Sequence, residues 1–197
     1  QIWDGNWLTG THIKDDIHIF GLKHNTTSEI RLVMAKSNST TTTFGSSLNT
    51  TKTESGNFAS SGIAYDPLGN VGIIGFRGSN GRLNLHGFTV DTASLTITDL
   101  GELTTTCQGA VGKVSFNPTA NKFVVMDSEN ANAGRVEFFT YDSSGNQGTI
   151  QQENIHPSAT IAIEGPDMYP VSNSNYMVTT FNTGTTITSN YASTGNH

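Results

Sequence analysis

The chain repeats itself. The segment Ala64-Tyr65-Asp66-Pro67-Leu68-Gly69-Asn70 returns 51 residues later as Ser115-Phe116-Asn117-Pro118-Thr119-Ala120-Asn121, with an aromatic, an Asx and a proline at matched places. Phe88-Thr89-Val90-Asp91 returns at the same step as Phe139-Thr140-Tyr141-Asp142. Upstream, Arg31-Leu32-Val33-Met34 lies 51 residues before Arg82-Leu83-Asn84-Leu85, and His18-Ile19-Phe20-Gly21-Leu22-Lys23 lies 54 before Gly72-Ile73-Ile74-Gly75-Phe76-Arg77. Downstream, Asn175-Tyr176-Met177-Val178-Thr179 follows Asn121-Lys122-Phe123-Val124-Val125 by 54. Self-similarity at a period of about fifty residues marks propellers, solenoids and arrays. Drift of a few residues is what loop insertions produce, because surface loops change length cheaply. The 197 residues divide on this beat into about four units, 8–57, 58–108, 109–159 and 160–197, within a single repeat domain spanning 1–197.

Inside each unit, short apolar runs are broken by turn residues. The second unit reads Gly62–Tyr65, Val71–Phe76, Leu83–Phe88 and Leu95–Ile97, with Asp66–Asn70 and Gly78–Gly81 as separators. Proline presets φ for a turn, and Gly and Asn supply the positive φ of tight reversals. The third unit repeats the scheme with Val114–Phe116, Phe123–Met126, Val136–Tyr141 and a weaker run at Gly148–Ile150. No long window places apolar residues at helical spacing, and the abundant Thr, Ser, Asn and Gly disfavour helix while Thr, Val, Ile and the aromatics suit strands. The expected class is all-β, a propeller-like array of about four four-stranded blades. A β-sandwich is the alternative, since it also shows short strands at regular spacing.

Composition narrows the functions. Net charge is −6, with lysines and arginines scattered singly, whereas nucleic-acid binding requires a basic stripe. No stretch approaches the roughly 20 apolar residues of a membrane-spanning helix, and no signal peptide is visible. The chain opens on Gln1 rather than Met, so processing or an incomplete chain is expected. Charged residues make up 13% of the sequence, and the polar surface is carried by hydroxyls and amides, a texture associated with extracellular and virion proteins. The lone cysteine, Cys107, has no internal disulfide partner and reads as a buried small residue.

A search for chemistry yields no catalytic, cofactor-binding or metal-ligating set. The histidines His12, His18, His24, His86, His156 and His197 never form a His-x-x-x-His or Cys/His cluster; His18 and His24 flank one strand and read as solvated or structural. Neither a Gly-x-Ser-x-Gly elbow nor Walker spacing occurs. Sialidase boxes (Ser-x-Asp-x-Gly-x-Thr-Trp) are missing, and Trp3-Asp4 occurs once rather than periodically. Trp3 and Trp7 read as packing at a terminal strand. Among the dispersed carboxylates Asp15, Asp16, Asp66, Asp91, Asp127, Glu129 and Asp142, two recur by position: Asp91 with Asp142, and Asp66 with Asn117. Recurrence favours an Asx-turn closing a hairpin over a calcium site of loop oxygens. Asn-x-Ser/Thr triplets at Asn25, Asn38 and Asn49 matter only where the host glycosylates secreted proteins.

At Ala64-Tyr65-Asp66-Pro67 through Asn70-Val71-Gly72-Ile73-Ile74-Gly75-Phe76-Arg77 the chain resembles the propeller-like repeats in structural and tail-fibre proteins of marine tailed phages. Val90-Asp91-Thr92-Ala93-Ser94-Leu95-Thr96-Ile97 and Asn182-Thr183-Gly184-Thr185-Thr186-Ile187-Thr188 match the Thr/Ser-rich closing element of that repeat. The resemblance covers most of residues 17–190. It implies a virion or extracellular surface location, a binding or assembly role, and no catalytic residues or cofactor. Three functions follow as expectations. The first is a non-enzymatic virion structural or attachment protein (fibre, decoration or receptor-binding module) contacting other virion or surface proteins, copies of itself and a cell-surface glycan. The second is a cellular adhesin or self-assembling surface filament protein. The third is a carbohydrate-active enzyme with a carboxylate pair at the channel mouth. No single contact residue stands out; the loops Gly78–Gly81 and Ser128–Gly134, which are equivalent and polar, read either as contact loops or as plain solvated turns.

Overall fold

Runs rich in Val, Ile, Thr and aromatic residues, cut every five to nine residues by Asx, Pro and Gly, become antiparallel strands in a computed structural model of the chain. The structure describes residues 5–53, 62–78, 82–103, 111–128, 135–141, 144, 151–154, 164–170, 173, 177–182 and 191–193, with no helix among them. The strands group into four separate antiparallel sheets rather than the two of a sandwich. Sheet one holds β1 (Gly5–Lys14), β2 (Ile17–His24), β3 (Glu29–Ser37), β4 (Thr42–Phe44) and β5 (Leu48–Thr53). Sheet two holds β6 (Gly62–Asp66), β7 (Val71–Arg77), β8 (Leu83–Asp91) and β9 (Thr96–Leu103). Sheet three holds β10 (Val111–Asn117), β11 (Lys122–Ser128), β12 (Arg135–Tyr141) and β13 (Gln151–Asn154), and sheet four holds β14 (Glu164–Pro170), β15 (Met177–Asn182) and β16 (Tyr191–Ser193). In each, strands pair in chain order, the meander of a propeller blade.

The internal copies fall on equivalent strands. Phe88 and Phe139 both lie on the third strand of their blade, and His18–Lys23, Gly72–Arg77 and Lys122–Val125 all lie on second strands. The first blade departs in one respect: its outer strand is split. β4 pairs with Ala35–Ser37 and β5 with Glu29–Leu32, both along β3. Between them Gly45 donates its N–H to the Met34 carbonyl at 2.9 Å. The weak run at Gly148–Ile150 lies outside the described residues, and the fourth strand of that blade follows it at β13.

Packing explains why the sequence shows apolar runs rather than alternation. The second blade is covered on both faces. Ile63, Ile74, Phe76, Phe88 and Val90 face the first blade, against Ile13, Ile17, Ile19, Ile30, Leu32 and Met34. Ala64, Ile73, Leu83 and Leu85 face the third blade, against Val114, Phe123 and Val125. Successive side chains of a strand point to opposite faces, so Ile73 and Ile74 serve different cores. The innermost strands pack in sequence: β1 on β6, β6 on β10, β10 on β14.

The turn between the first and second strands of each blade carries the repeat's clearest mark. Asp15, Asn70, Asn121 and Asn173 all adopt left-handed φ, at 48°, 52°, 52° and 54°. Asn and Asp tolerate this region better than other residues with a Cβ. In the second and third blades the Asx that begins the turn is buried and anchors it. Asp66 Oδ1 accepts from the Leu68 N–H at 2.9 Å, and Asn117 Oδ1 accepts from Thr119 and Ala120 at 3.0 and 3.1 Å. Asp91 does likewise at the turn after β8, accepting from the Ala93 N–H at 2.9 Å and the Ser94 hydroxyl at 2.7 Å, which holds its carboxyl below the usual carboxylate range. Its counterpart Asp142 lies outside the described residues. Leu95 closes the same turn at φ 54°, an uncommon conformation for a bulky residue, and its side chain is buried in the core between the first two blades.

Blade-to-blade approach is close enough to require glycine. A Cβ on Gly62 would stand 2.6 Å from the Val114 backbone nitrogen of the third blade. Gly62→Ala is therefore expected to lower stability by about 1–3 kcal/mol through overpacking. The check is the urea midpoint, with the exposed Ser47→Ala as the surface control; an unchanged midpoint for Gly62→Ala would contradict this interface.

Candidate functional site

The innermost strands line an open cavity of about 480 Å³. Each blade contributes a short stretch. β1 gives Thr9, Gly10 and Thr11; β6 gives Ile63–Tyr65 and the following Pro67; β10 gives Lys113–Phe116 and the following Pro118; β14 gives Tyr169 and Pro170. Three blades thus present an aromatic ring and a proline each, Tyr65 with Pro67, Phe116 with Pro118, and Tyr169 with Pro170. The first blade presents threonine hydroxyls instead.

The rings are held rather than loose. Tyr65 donates its hydroxyl to Asn70 Oδ1 at 2.8 Å, so the asparagine that makes the turn also fixes the ring beside it. Partial burial, with a smaller contribution from the neighbouring Asp66 charge, pushes the Tyr65 phenol above its ordinary range. It stays a neutral donor at physiological pH. Phe116 packs against Phe123 with ring centroids 5.1 Å apart. Tyr169 is 55% exposed at the mouth. Among the described residues lining the cavity, Lys113 is the single formally charged side chain, and it has an interaction partner. Asp66 lies beside the wall, but it is 1% exposed and its oxygen is committed to the turn.

The expected contact loops lie elsewhere. Gly78–Gly81 and Ser128–Gly134 join the second and third strands of their blades, at the opposite strand ends from the turns that rim the cavity; beyond Gly78 and Ser128 they fall outside the described residues. Gly78 itself donates to the Arg82 carbonyl at 2.8 Å. Tyr65 and Phe116 stand inside the repeated segment, yet from sequence they serve only to mark the repeat. The available signal was the recurrence of aromatic-x-Pro at the end of an innermost strand.

The histidines do not gather into a metal centre; among the described residues no group of three His, Cys, Asp or Glu does. His18 lies edge-on to His12, with centroids 5.2 Å apart, and stacks near Phe20, while His24 accepts from the Thr27 N–H at 3.3 Å in the next turn. His18 and His24 therefore serve separate places. His156, His197, Cys107, Trp3 and Glu129 lie outside the described residues; Trp7 is on β1 and Asp127 on β11. Asn25, Asn38 and Asn49 are exposed, and Asn38 Oδ1 accepts from the Thr40 and Thr41 N–H groups at 2.9 and 2.7 Å.

His86 is the titratable group that sequence reading passed over. It is 2% exposed on β8, and its Nε2 lies 2.5 Å from Asp99 Oδ1 on β9. A bulge places that carboxylate: Leu100 is the extra residue between Asp99 and Gly101, and Gly101, at φ 88°, donates its N–H back to Asp99 at 2.7 Å. The His86 Nδ1 is buried with no partner among the described residues, so the ring proton belongs on Nε2, where it has an acceptor.

No protein-family model matches the sequence, and no curated protein matches it. Among solved structures the chain is similar to the exo-β-1,3-galactanase from Phanerochaete chrysosporium, at 11% identity and a TM-score of 0.51 over 84% of this chain and 39% of that one. It is also similar to the β-propeller domain of the Trilobed protease from Pyrococcus furiosus, at 10% identity and 0.48 over 89% of this chain. A third is the endo-arabinanase from Bacillus licheniformis, at 13% identity and 0.42 over 89% of this chain. The chain spans 49% of the protease domain and 39% of the galactanase. Glycosidases are prominent among these neighbours, but at such identities the likeness conveys the fold alone.

The His86–Asp99 geometry makes a specific demand on stability. Asp99→Ala leaves both ring nitrogens of a buried histidine unpartnered and is expected to cost about 1–3 kcal/mol. Replacing both partners, His86→Leu with Asp99→Ala, is expected to recover most of that loss in chemical denaturation. A double variant no better than the single would show that the pair is not the source.

Proposed function

We propose that this chain is a non-enzymatic attachment module that holds a neutral glycan in its axial cavity and is displayed on a virion or other extracellular surface. The observation that carries the reading is that Tyr65, Phe116 and Tyr169, each with a proline nearby, line one cavity together with Thr9 and Thr11. Aromatic faces pack against the C–H face of a sugar ring, while hydroxyls bond to its rim. The volume suits a small ligand, since such pockets run from about 300 to 1,000 Å³. The virion setting is supported by the resemblance of the repeat to phage structural proteins, and display in many copies would multiply weak single contacts.

A glycosidase reading draws on the neighbours' activities. Glycoside hydrolysis ordinarily uses two carboxylic groups about 5–9.5 Å apart flanking the scissile bond. The described lining residues include no carboxylate, which favours holding a sugar over cleaving it.

The test is a glycan array followed by calorimetry. Wild-type protein is expected to bind neutral glycans, and Tyr169→Ala to weaken binding about tenfold or more, equivalent to about 1.4 kcal/mol, without change in the unfolding midpoint. Release of reducing sugar from a bound glycan would overturn the non-enzymatic reading. Absence of the chain from purified particles would overturn the virion setting.

A further inference from the structure

The turns that rim the cavity are not alike. Over the first blade the turn is Lys14-Asp15-Asp16, charged and self-paired: Lys14 Nζ lies 3.8 Å from Asp15 Oδ2, and Lys36 Nζ lies 3.9 Å from Asp16 Oδ1. The rim over the other three blades carries Pro67, Pro118, Pro170 and the half-exposed Tyr169. Directly after the lining Pro67 stands Leu68, 87% exposed. That exposure is enforced. The Leu68 N–H is tied to the buried Asp66 carboxylate at 2.9 Å, and the Pro67 ring fixes φ before it, so the leucine's backbone is held next to the lining Pro67 while its side chain stands in solvent. The equivalent position in the third blade is Thr119, so the turn itself does not require a leucine there.

Resting on the glycan reading above, we propose that the ligand is an oligosaccharide rather than a single residue. One sugar occupies the cavity, and the next leaves across the apolar lip of the second blade, with Leu68 as a specificity-determining contact. The path follows the chemistry of the rim. The C–H face of a pyranose packs on Pro67 and Leu68 without stripping water from a charge, whereas leaving over the first blade would require desolvating Asp15, Asp16 and Lys14. The cavity alone sets which sugar is held; the lip sets how much of the chain beyond it is read.

The experiment uses the full chain and an array of neutral homo-oligosaccharides from one to six hexoses, with wild type compared against Leu68→Thr, the residue found one repeat later. An exposed side chain at a turn anchored by Asp66 leaves folding intact, which the melting curve verifies. The expected result is a wild-type affinity that rises from the single hexose to the disaccharide, and a Leu68→Thr variant that keeps the single-hexose signal while losing about fivefold on the disaccharide, the scale set by one leucine contact. Affinity independent of length, or a variant indistinguishable from wild type on every length, overturns this proposal and leaves the cavity reading standing. No binding of any hexose or oligomer by wild type overturns both.

Discussion

The architecture depends on one constraint: a middle blade has no face it can leave to water. Each sheet here is small, and its apolar side chains are hidden only when a neighbouring sheet lies against them. In the second blade this holds for both sides at once, with Ile74, Phe76 and Phe88 closing one core and Ile73, Leu83 and Leu85 the other. Such mutual coverage makes stability a property of the interfaces between repeats rather than of the repeat alone. It also leaves no room for a Cβ at Gly62, where two innermost strands meet. Among the buried polar residues, Thr50, Asp66 and Asn117 bond to neighbouring backbone groups, and His86 meets Asp99 through Nε2.

Stacking in this way has two consequences for function. The innermost strands come together around a shared space whose walls carry one stretch from each repeat, so a residue type fixed at one repeat position becomes an arc of similar side chains. Tyr65 and Phe116 are such a pair; Tyr169, directly before its proline rather than two places before it, joins them from the fourth blade, and Thr9 and Thr11 line the cavity from the first. The outer strands meet the opposite situation, since an outer strand offers unpaired backbone groups to any passing chain. In the second blade β9 carries a bulge at Leu100, and in the first blade the outer strand is split into β4 and β5. Both irregularities disfavour continuous pairing with another copy.

Much of the fold was legible in order along the chain. Asn70 and Asn121 occupy the same left-handed turn position because the turn demands it, and the Asx-Pro pair before each of them returns for the same reason. The split outer strand of the first blade was not legible, because β4 and β5 are short, Thr-rich and separated by Gly45-Ser46-Ser47, a texture no different from a loop. The His86–Asp99 pair was invisible for another reason: thirteen residues and a bulge separate the two side chains, and neither recurs in the next repeat. Leu95 was read as the start of a strand, whereas it closes the turn with its backbone left-handed and its side chain buried.

By itself the sequence determined the class, the number of units and the chemistry of their turns, because strand period, turn residues and repeat length are local properties written in consecutive positions. Only the tertiary structure decided where those units point. Which end of each strand reaches the axis, which aromatic rings face the same space and which carboxylates are already spent on a backbone N–H depend on how sheets pack across fifty-residue intervals. That geometry sets Tyr65, Phe116 and Tyr169 around one cavity, at the strand ends opposite the polar loops Gly78–Gly81 and Ser128–Gly134. The physical reason is that side-chain convergence is set by the packing of one blade on the next, a relation that no single stretch of chain contains.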